Sequence, residues 1–265
     1  IKMIDFKELA TALKPATAPI YKIPAKLLSK GNTNAKTAKN NLDTFILYLA
    51  PATQNSKGAE LCPHRSAGCT AACLFTAGRG KFGSVKNARV NKTEYFLSDP
   101  KTFLAQLALE LIAINKRYKK QNQKAAIRLN GTTDRDFLYL LGKKSGLNWE
   151  ELTSLVFYDY TKTLKKAQRY SGTGYIHAFS RSEDNEAQAI QYLQEGGIVA
   201  AVFADTLPAK WKGFVVWDGD KSDDLMLDAA KETSKGNGIV LGLKAKGDAK
   251  KDQSGFVIDT LFNNK

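Results

Sequence analysis

The stretch 196-GGIVAAVFADT-206 holds an unbroken apolar run from Ile198 to Phe203 and turns polar at Asp205. A strand with one wet face alternates apolar and polar residues. An unbroken run rich in β formers is instead buried on both faces, the situation of a parallel strand covered by helices. The segment before it, 183–194, carries Ala187, Ile190, Tyr192 and Leu193 at positions suited to an amphipathic helix, and Gly196-Gly197 closes it. The local unit is helix, glycine stop, buried strand, polar exit.

The same unit recurs along the chain. Apolar runs at 44-TFILYLA-50 (stopped by Pro51), 125-AAIRLN-130, 154-SLVFY-158, 175-YIHAF-179, 213-GFVVW-217 and 238-GIVLGL-243 bring the strands to seven. Helices are expected at about 84–97 and at 101–121. In the second, Phe103, Leu104, Leu107, Ala108, Leu111, Ile112 and Ile114 recur at helical spacing after the start signal 98-SDPK-101. The pattern predicts an α/β fold of mostly parallel strands, a (β/α) barrel or partial barrel. Residues 1–42 read as a basic N-terminal extension packing on or preceding the barrel, with a short helix near 5–13. Residues 43–265 read as one barrel-like domain.

Strand exits carry the polar residues: 130-NGTTD-134, 159-DYTK-162, 180-SRSED-184, 205-DT-206 and 218-DGDKSDD-224. In parallel sheets and barrels the site lies at these carboxyl ends. The carboxylates Asp134, Asp136, Asp159, Asp205 and Asp218 are candidates there, each also explained as a loop or helix-cap aspartate. Ser180, Arg181 and Ser182 are candidates to hold a carboxylate or phosphate at a helix start, and a plain helix start explains them equally well.

The loop after the first of these strands, 61-LCPHRSAGCTAACLFTAGRG-80, holds all three cysteines of the 265-residue chain, Cys62, Cys69 and Cys73. An odd count without secretory context fits a disulfide poorly and a metal site well. Thiolates suit iron–sulfur clusters, zinc or copper(I). A zinc site normally takes four ligands and would need His64 or His177; reduced structural thiols are the third alternative. A [4Fe-4S] cluster on three thiolates leaves one iron open to a small-molecule ligand, and a [3Fe-4S] cluster uses the same three. Gly68, Gly78 and Gly80 allow close wrapping of the backbone, and Arg65 or Arg79 offers charge to an anionic cluster. The iron–sulfur loop is placed at 62–73.

With 40 Lys+Arg against 26 Asp+Glu the formal net charge is +14. A field of that sign draws polyanions, so DNA or RNA contact through a basic surface is one expectation. A Lys-rich solvated surface accounts for the same numbers. The basic residues gather modestly at Lys116, Arg117, Lys119, Lys120 and Lys124, and at Lys162, Lys165, Lys166 and Arg169. No apolar run reaches 18 residues, so no membrane span is expected, and the N-terminus lacks the apolar core of a secretory signal. Phosphate-loop, dinucleotide-binding and Gly-x-Ser-x-Gly signatures are absent.

The blocks 46-ILYLAP-51, Cys62-Pro63, 66-SAGC-69, Cys73-Leu74, 76-TAGRG-80, Lys86, Ala88-Arg89, Lys92-Thr93 and 127-IRLNGT-132 resemble the bacteriophage gene-product-88 family over most of 36–245. That resemblance implies a phage origin, and with it the cytoplasm of an infected cell. The layout also resembles the radical S-adenosylmethionine superfamily, in which a three-cysteine loop after the first strand of a partial barrel binds a [4Fe-4S] cluster whose open iron chelates that cofactor. By that resemblance Asn130, Thr132 and Asp134 stand where second-strand residues meet the cofactor. The superfamily spacing is C-x3-C-x2-C, whereas this loop is C-x6-C-x3-C with Ala72 before the last cysteine, and 130-NGTTD-134 does not match the Gly-Gly-Glu pattern. The functional expectation is an iron–sulfur protein with radical-S-adenosylmethionine-like catalysis. The alternative is a non-catalytic iron–sulfur protein that binds nucleic acid or a host protein.

Overall fold

A computed structural model describes residues 21–33, 37–73, 75 and 78–259, without the side chains of Thr33, Arg79 and Lys81. The helix expected at 5–13 lies outside the described residues. In chain order the strands are β1 (Leu28–Lys30), β2 (Asp43–Leu47), β3 (Ala125–Arg128), β4 (Leu155–Thr161), β5 (Tyr175–Ser180), β6 (Ile198–Phe203), β7 (Lys210–Trp211), β8 (Phe214–Asp218), β9 (Ile239–Lys244) and β10 (Val257–Ile258). The α-helices are α1 (Ala67–Ala71), α2 (Gly83–Ser98), α3 (Pro100–Lys120), α4 (Phe137–Ser145), α5 (Leu164–Arg169), α6 (Glu186–Gln194) and α7 (Asp224–Thr233).

One sheet runs β1-β2-β3-β4-β5-β6-β9-β8-β7, with β10 beside β6. All seven strands read from the apolar runs are present, and they pair parallel. The short β1 and β7 add antiparallel edges. The architecture is mixed α/β around a large, mostly parallel sheet. Among the described residues β1 and β7 do not meet, so these strands do not close the sheet into a barrel. The order also departs from simple succession. The chain passes from β6 to β8 and returns to lay β9 between them.

Side-chain alternation explains why both faces are covered. In β4, Leu155 and Phe157 join Ile127, Phe103, Leu107 and Leu111 of α3, and Leu138 and Leu141 of α4. Val199 and Phe203 of β6 continue that side against Ala189 and Leu193 of α6. Tyr158, Ile198, Ala200 and Leu241 point the other way and pack on Met226 and Ala229 of α7. Helix starts follow their sequence signals. Asp99 accepts from the Thr102 amide at 3.0 Å ahead of α3, with Pro100 in the first turn. Asp136 caps α4 in the same way, and Gly146 ends α4 at φ 68°.

Because the seven strands are parallel, their exits share one edge of the sheet. At that edge β5 leaves β6 after the pair Ser180–Ala200, and β10 takes the vacated flank of β6 at Val202 and Phe203. The C-terminal part of the chain is thereby drawn to the strand exits.

Candidate functional site

After β2 the chain crosses the β3 exit and is stitched to it. The Gly131 amide donates to Leu47 O at 2.9 Å, the Thr132 hydroxyl to Leu49 O at 2.5 Å, and the Asp134 amide to Leu61 O at 2.9 Å. From outside, α2 holds the same loop. Thr93 accepts from the Ala50 amide at 2.8 Å, and Glu94 takes both the amide and hydroxyl of Ser56 at 2.6 Å. The loop that precedes the cysteines is therefore fixed at both flanks.

Cys69 rides on α1, a five-residue helix too short to stand alone. Ser66 caps it by accepting from the Cys69 amide at 3.1 Å. Glu183, from the loop after β5, accepts from the Ser66 hydroxyl at 2.8 Å and from the Gly68 amide at 2.6 Å. A negative charge at a helix start is favoured by the exposed amides there. A Cβ on Gly68 would come within 2.5 Å of the Phe256 Cβ and 2.1 Å of the Ser254 hydroxyl, so the glycine is required by the C-terminal segment packed on it. Gly78, at φ 52°, meets nothing within 4 Å.

None of the three cysteines is in a disulfide. Burial pushes the Cys62 thiol up to about 12, although the Ala52 amide, 3.4 Å from its sulfur, works against the rise; Asp134 and Cys73 add to it. Burial also raises Cys69, opposed by the positive charge of Lys162 and reinforced by Cys73. Cys73 thus lies in the electrostatic field of both other thiols. The Arg89 guanidinium stands 4.7 Å over the Tyr48 ring and 5.4 Å over Phe75, and Cys73 favours its charge. Its Nε and Nη1 are buried and have no hydrogen-bond partner among the described residues. No group of three or more His, Cys, Asp or Glu side chains among the described residues is arranged to hold a metal ion.

The other residues singled out by sequence fall into two sets. Asn130 is wholly engaged: its amide group donates to Arg135 O at 2.9 Å and Asp159 at 3.0 Å, while its carbonyl accepts from the Arg135 amide and the Thr133 hydroxyl. Asp134 ties Thr161, the Lys162 amide and Lys166 to the β3 exit. Arg181 is buried with its guanidinium on Glu186 and on the carbonyls of Gly255 and Phe256. These three side chains build the wall of the site. Thr132 O is 3.8 Å from the Cys62 sulfur, and Ser180 O is 3.4 Å from the Lys162 ammonium. The Arg79 side chain lies outside the described residues. Asp159 is fully buried beneath Asn130, Asp136 pairs with Arg169 and Tyr170, and Asp205 is exposed, so the candidate carboxylates do not gather at one point. His177 packs against both Tyr170 and Tyr175 in the core.

The sequence model for gene product 88 matches residues 26–260. The chain belongs to the gene product 88 family. That is a phage gene-product family, and the match spans β1 through β10 and all three cysteines. No curated protein and no solved structure gives a significant match. No described helix is long and apolar enough to cross a membrane. Within this gene product 88 chain, sequence alone places Glu183 in a polar exit and Lys162 in a basic cluster, and gives neither a role. Their position is encoded only in the strand pairing that brings the β4 and β5 exits against the cysteine loop.

Proposed function

We propose that this gene product 88 chain is an iron–sulfur protein whose cluster is held by Cys62, Cys69 and Cys73 at the strand exits. The observation that carries it is Arg89: its Nε and Nη1 are buried and meet no hydrogen-bond partner among the described residues, and Cys73 favours its charge. Buried polar donors are costly unless they meet an acceptor. A cluster bound by thiolates is an anion whose sulfurs accept hydrogen bonds, and such bonds tune these centres. The thiols fit the same picture. Burial disfavours the ionisation of Cys62 and Cys69, so in the metal-free chain these two are poor nucleophiles, and a metal supplies the charge that makes them thiolates. Their sulfurs need not be gathered beforehand, because metal binding and loop ordering are commonly one event.

A [4Fe-4S] cluster on three thiolates would offer one open iron to a small molecule, and S-adenosylmethionine is the first compound to try there. The consecutive order β2 to β6, with α3, α4 and α6 on one face, supports reading the sheet as a partial barrel with this site at its mouth. In a phage family the setting is the interior of the infected cell.

Anaerobic reconstitution tests the reading. Visible absorption with iron and acid-labile sulfide in stoichiometric amount is expected, and each of Cys62→Ser, Cys69→Ser and Cys73→Ser is expected to abolish it. A colourless protein that retains one zinc refutes it. Arg89→Gln is expected to leave the fold intact and shift the reduction potential of the centre. Cleavage of S-adenosylmethionine under reducing conditions separates the enzyme from a non-catalytic cluster protein.

A further inference from the structure

Beside the cysteine loop lies a cavity of about 250 Å³ that no part of the cluster reading uses. Its walls come from three places in the chain. His64 and Arg65 project from the loop between Cys62 and Cys69, while Lys162 stands at the β4 exit. Ser182, Asp184 and Asn185 face them from the turn that opens the nine-residue helix α6, whose first-turn residue Gln188 also lines the space. A cavity of this size is below the range that encloses drug-sized molecules. It suits a small molecule or the head group of one.

We propose that this cavity binds the oxyanion group, phosphate or carboxylate, of a small molecule, with Lys162 as its principal countercharge. Lys162 is the deciding residue because the surrounding acids are already engaged. Asp134 is taken by Lys166, Thr161 and the Lys162 backbone amide. Glu183 is taken by Ser66 and Gly68. Among the described residues the ammonium makes no ion pair. Its nearest acceptors are the carbonyls of Ser180 and Arg181, both 3.4 Å away, and the face of Phe256 at 5.2 Å from the ring centre. Hydrogen bonds from a cation to oxygen normally run about 2.7–2.9 Å, so these contacts leave its donors underused. Arg65 is already bonded to Glu60 and Thr70, which orients it and leaves it a secondary contributor. Asp184 is an exposed carboxylate on the opposing wall and works against an anion. That opposition gives the site a second handle.

The inference does not rest on the cluster, and the experiment keeps the two apart by using the full-length chain, reduced and metal-free. Thermal unfolding is followed during titration with pyrophosphate and, separately, with succinate, against sodium chloride at matched ionic strength. A saturable rise in Tm with at least one oxyanion, beyond that of chloride, is expected, and which compound gives it assigns phosphate or carboxylate. Lys162→Gln is expected to weaken that binding at least tenfold, and Lys162→Arg to restore most of it. Asp184→Asn, an exposed loop change that leaves the fold alone, is expected to tighten it several-fold. Identical responses to all three salts overturn the proposal. So does an Asp184→Asn protein that binds no better than the original, even if Lys162→Gln proves unable to fold.

Discussion

Glu183 lies 115 residues from the Gly68 amide that it binds, yet it is the residue that fixes the position of Cys69. Removing its carboxylate leaves that amide and the Ser66 hydroxyl without their acceptor. Hydrogen bonds to charged groups contribute about 1.5–3 kcal/mol each, so Glu183→Ala is expected to cost about 2 kcal/mol or more in urea unfolding. Because both Ser66, the cap of α1, and the Gly68 amide rest on Glu183, the same change is expected to speed alkylation of Cys69 in the metal-free protein. An unchanged labelling rate at Cys69 would show that α1 stands without this contact. Cys62 gives a second prediction at this scale. Its thiol is pushed up to about 12, first by burial, so at neutral pH almost none is thiolate. An ordinary thiol, with a pKa of about 8.5, is almost wholly thiolate by about pH 10, where its alkylation rate levels off. Cys62 is expected to show a rate with iodoacetamide that still climbs at pH 10, read by peptide mass spectrometry. A rate that has levelled off by pH 10 would contradict the burial argument.

At the scale of elements, β4 and β5 bring two ionisable groups into the core side by side, Asp159 opposite His177. His177 is held down to about 3 against an ordinary value of 6.5, first by burial and then by the charge of Lys166. Its folded value lies below its unfolded value, so the stability it contributes is present above pH 6.5 and is lost as pH falls from there towards 3. Asp159 is raised by burial and runs the opposite way, strengthening the fold as pH falls, so the comparison must isolate the histidine. His177→Phe is expected to flatten the acid limb, retaining about 2 kcal/mol at pH 5 that the original chain loses relative to pH 7. Parallel acid limbs for the two proteins would refute this. The strands themselves were legible because 198-IVAAVF-203 and its counterparts are apolar on both faces, and α3 because its stripe is long and its start is marked. Helices α4, α5 and α7 were not legible, since six to ten residues give few turns for a period to stand out; the nine-residue α6 was read because a Gly-Gly stop and an apolar strand follow it. The two-residue β7 and β10 carry no pattern at all and are defined by what they pair with. At the site, the cysteines were plain from composition, but the partners of Lys162 and Glu183 depend on which strands are neighbours, and that is a property of topology.

For the whole molecule, the placement of β9 between β6 and β8 could not be read from runs of residues, because the same seven strands in simple succession have the same local sequence. The charge of +14 is likewise a global quantity whose meaning depends on where the cations sit. One of the two basic clusters is partly absorbed by the fold: Lys166 is buried on Asp134 and Arg169 is paired with Asp136. Of the other, Lys116, Arg117, Lys119 and Lys120 lie exposed in the last turns of α3, and Lys124 lies exposed just before β3, so the cluster leads into the start of that strand. It therefore stands at the opposite edge of the sheet from the cysteine loop. Binding of DNA or RNA there would be separate from the cysteine loop, and contact through phosphates alone is sequence-independent and driven by release of counterions. Binding of duplex DNA is expected to be detectable only at low salt, with a steep fall as salt rises. Replacing the four residues on α3 with Gln is expected to make the slope of log K against log salt shallower by about 0.9 for each phosphate that is no longer neutralised. Cys69→Ser is expected to leave that slope unchanged. Binding that resists salt, or that collapses with the cysteine change, would instead place the nucleic acid at the strand exits and join the two functions in one site.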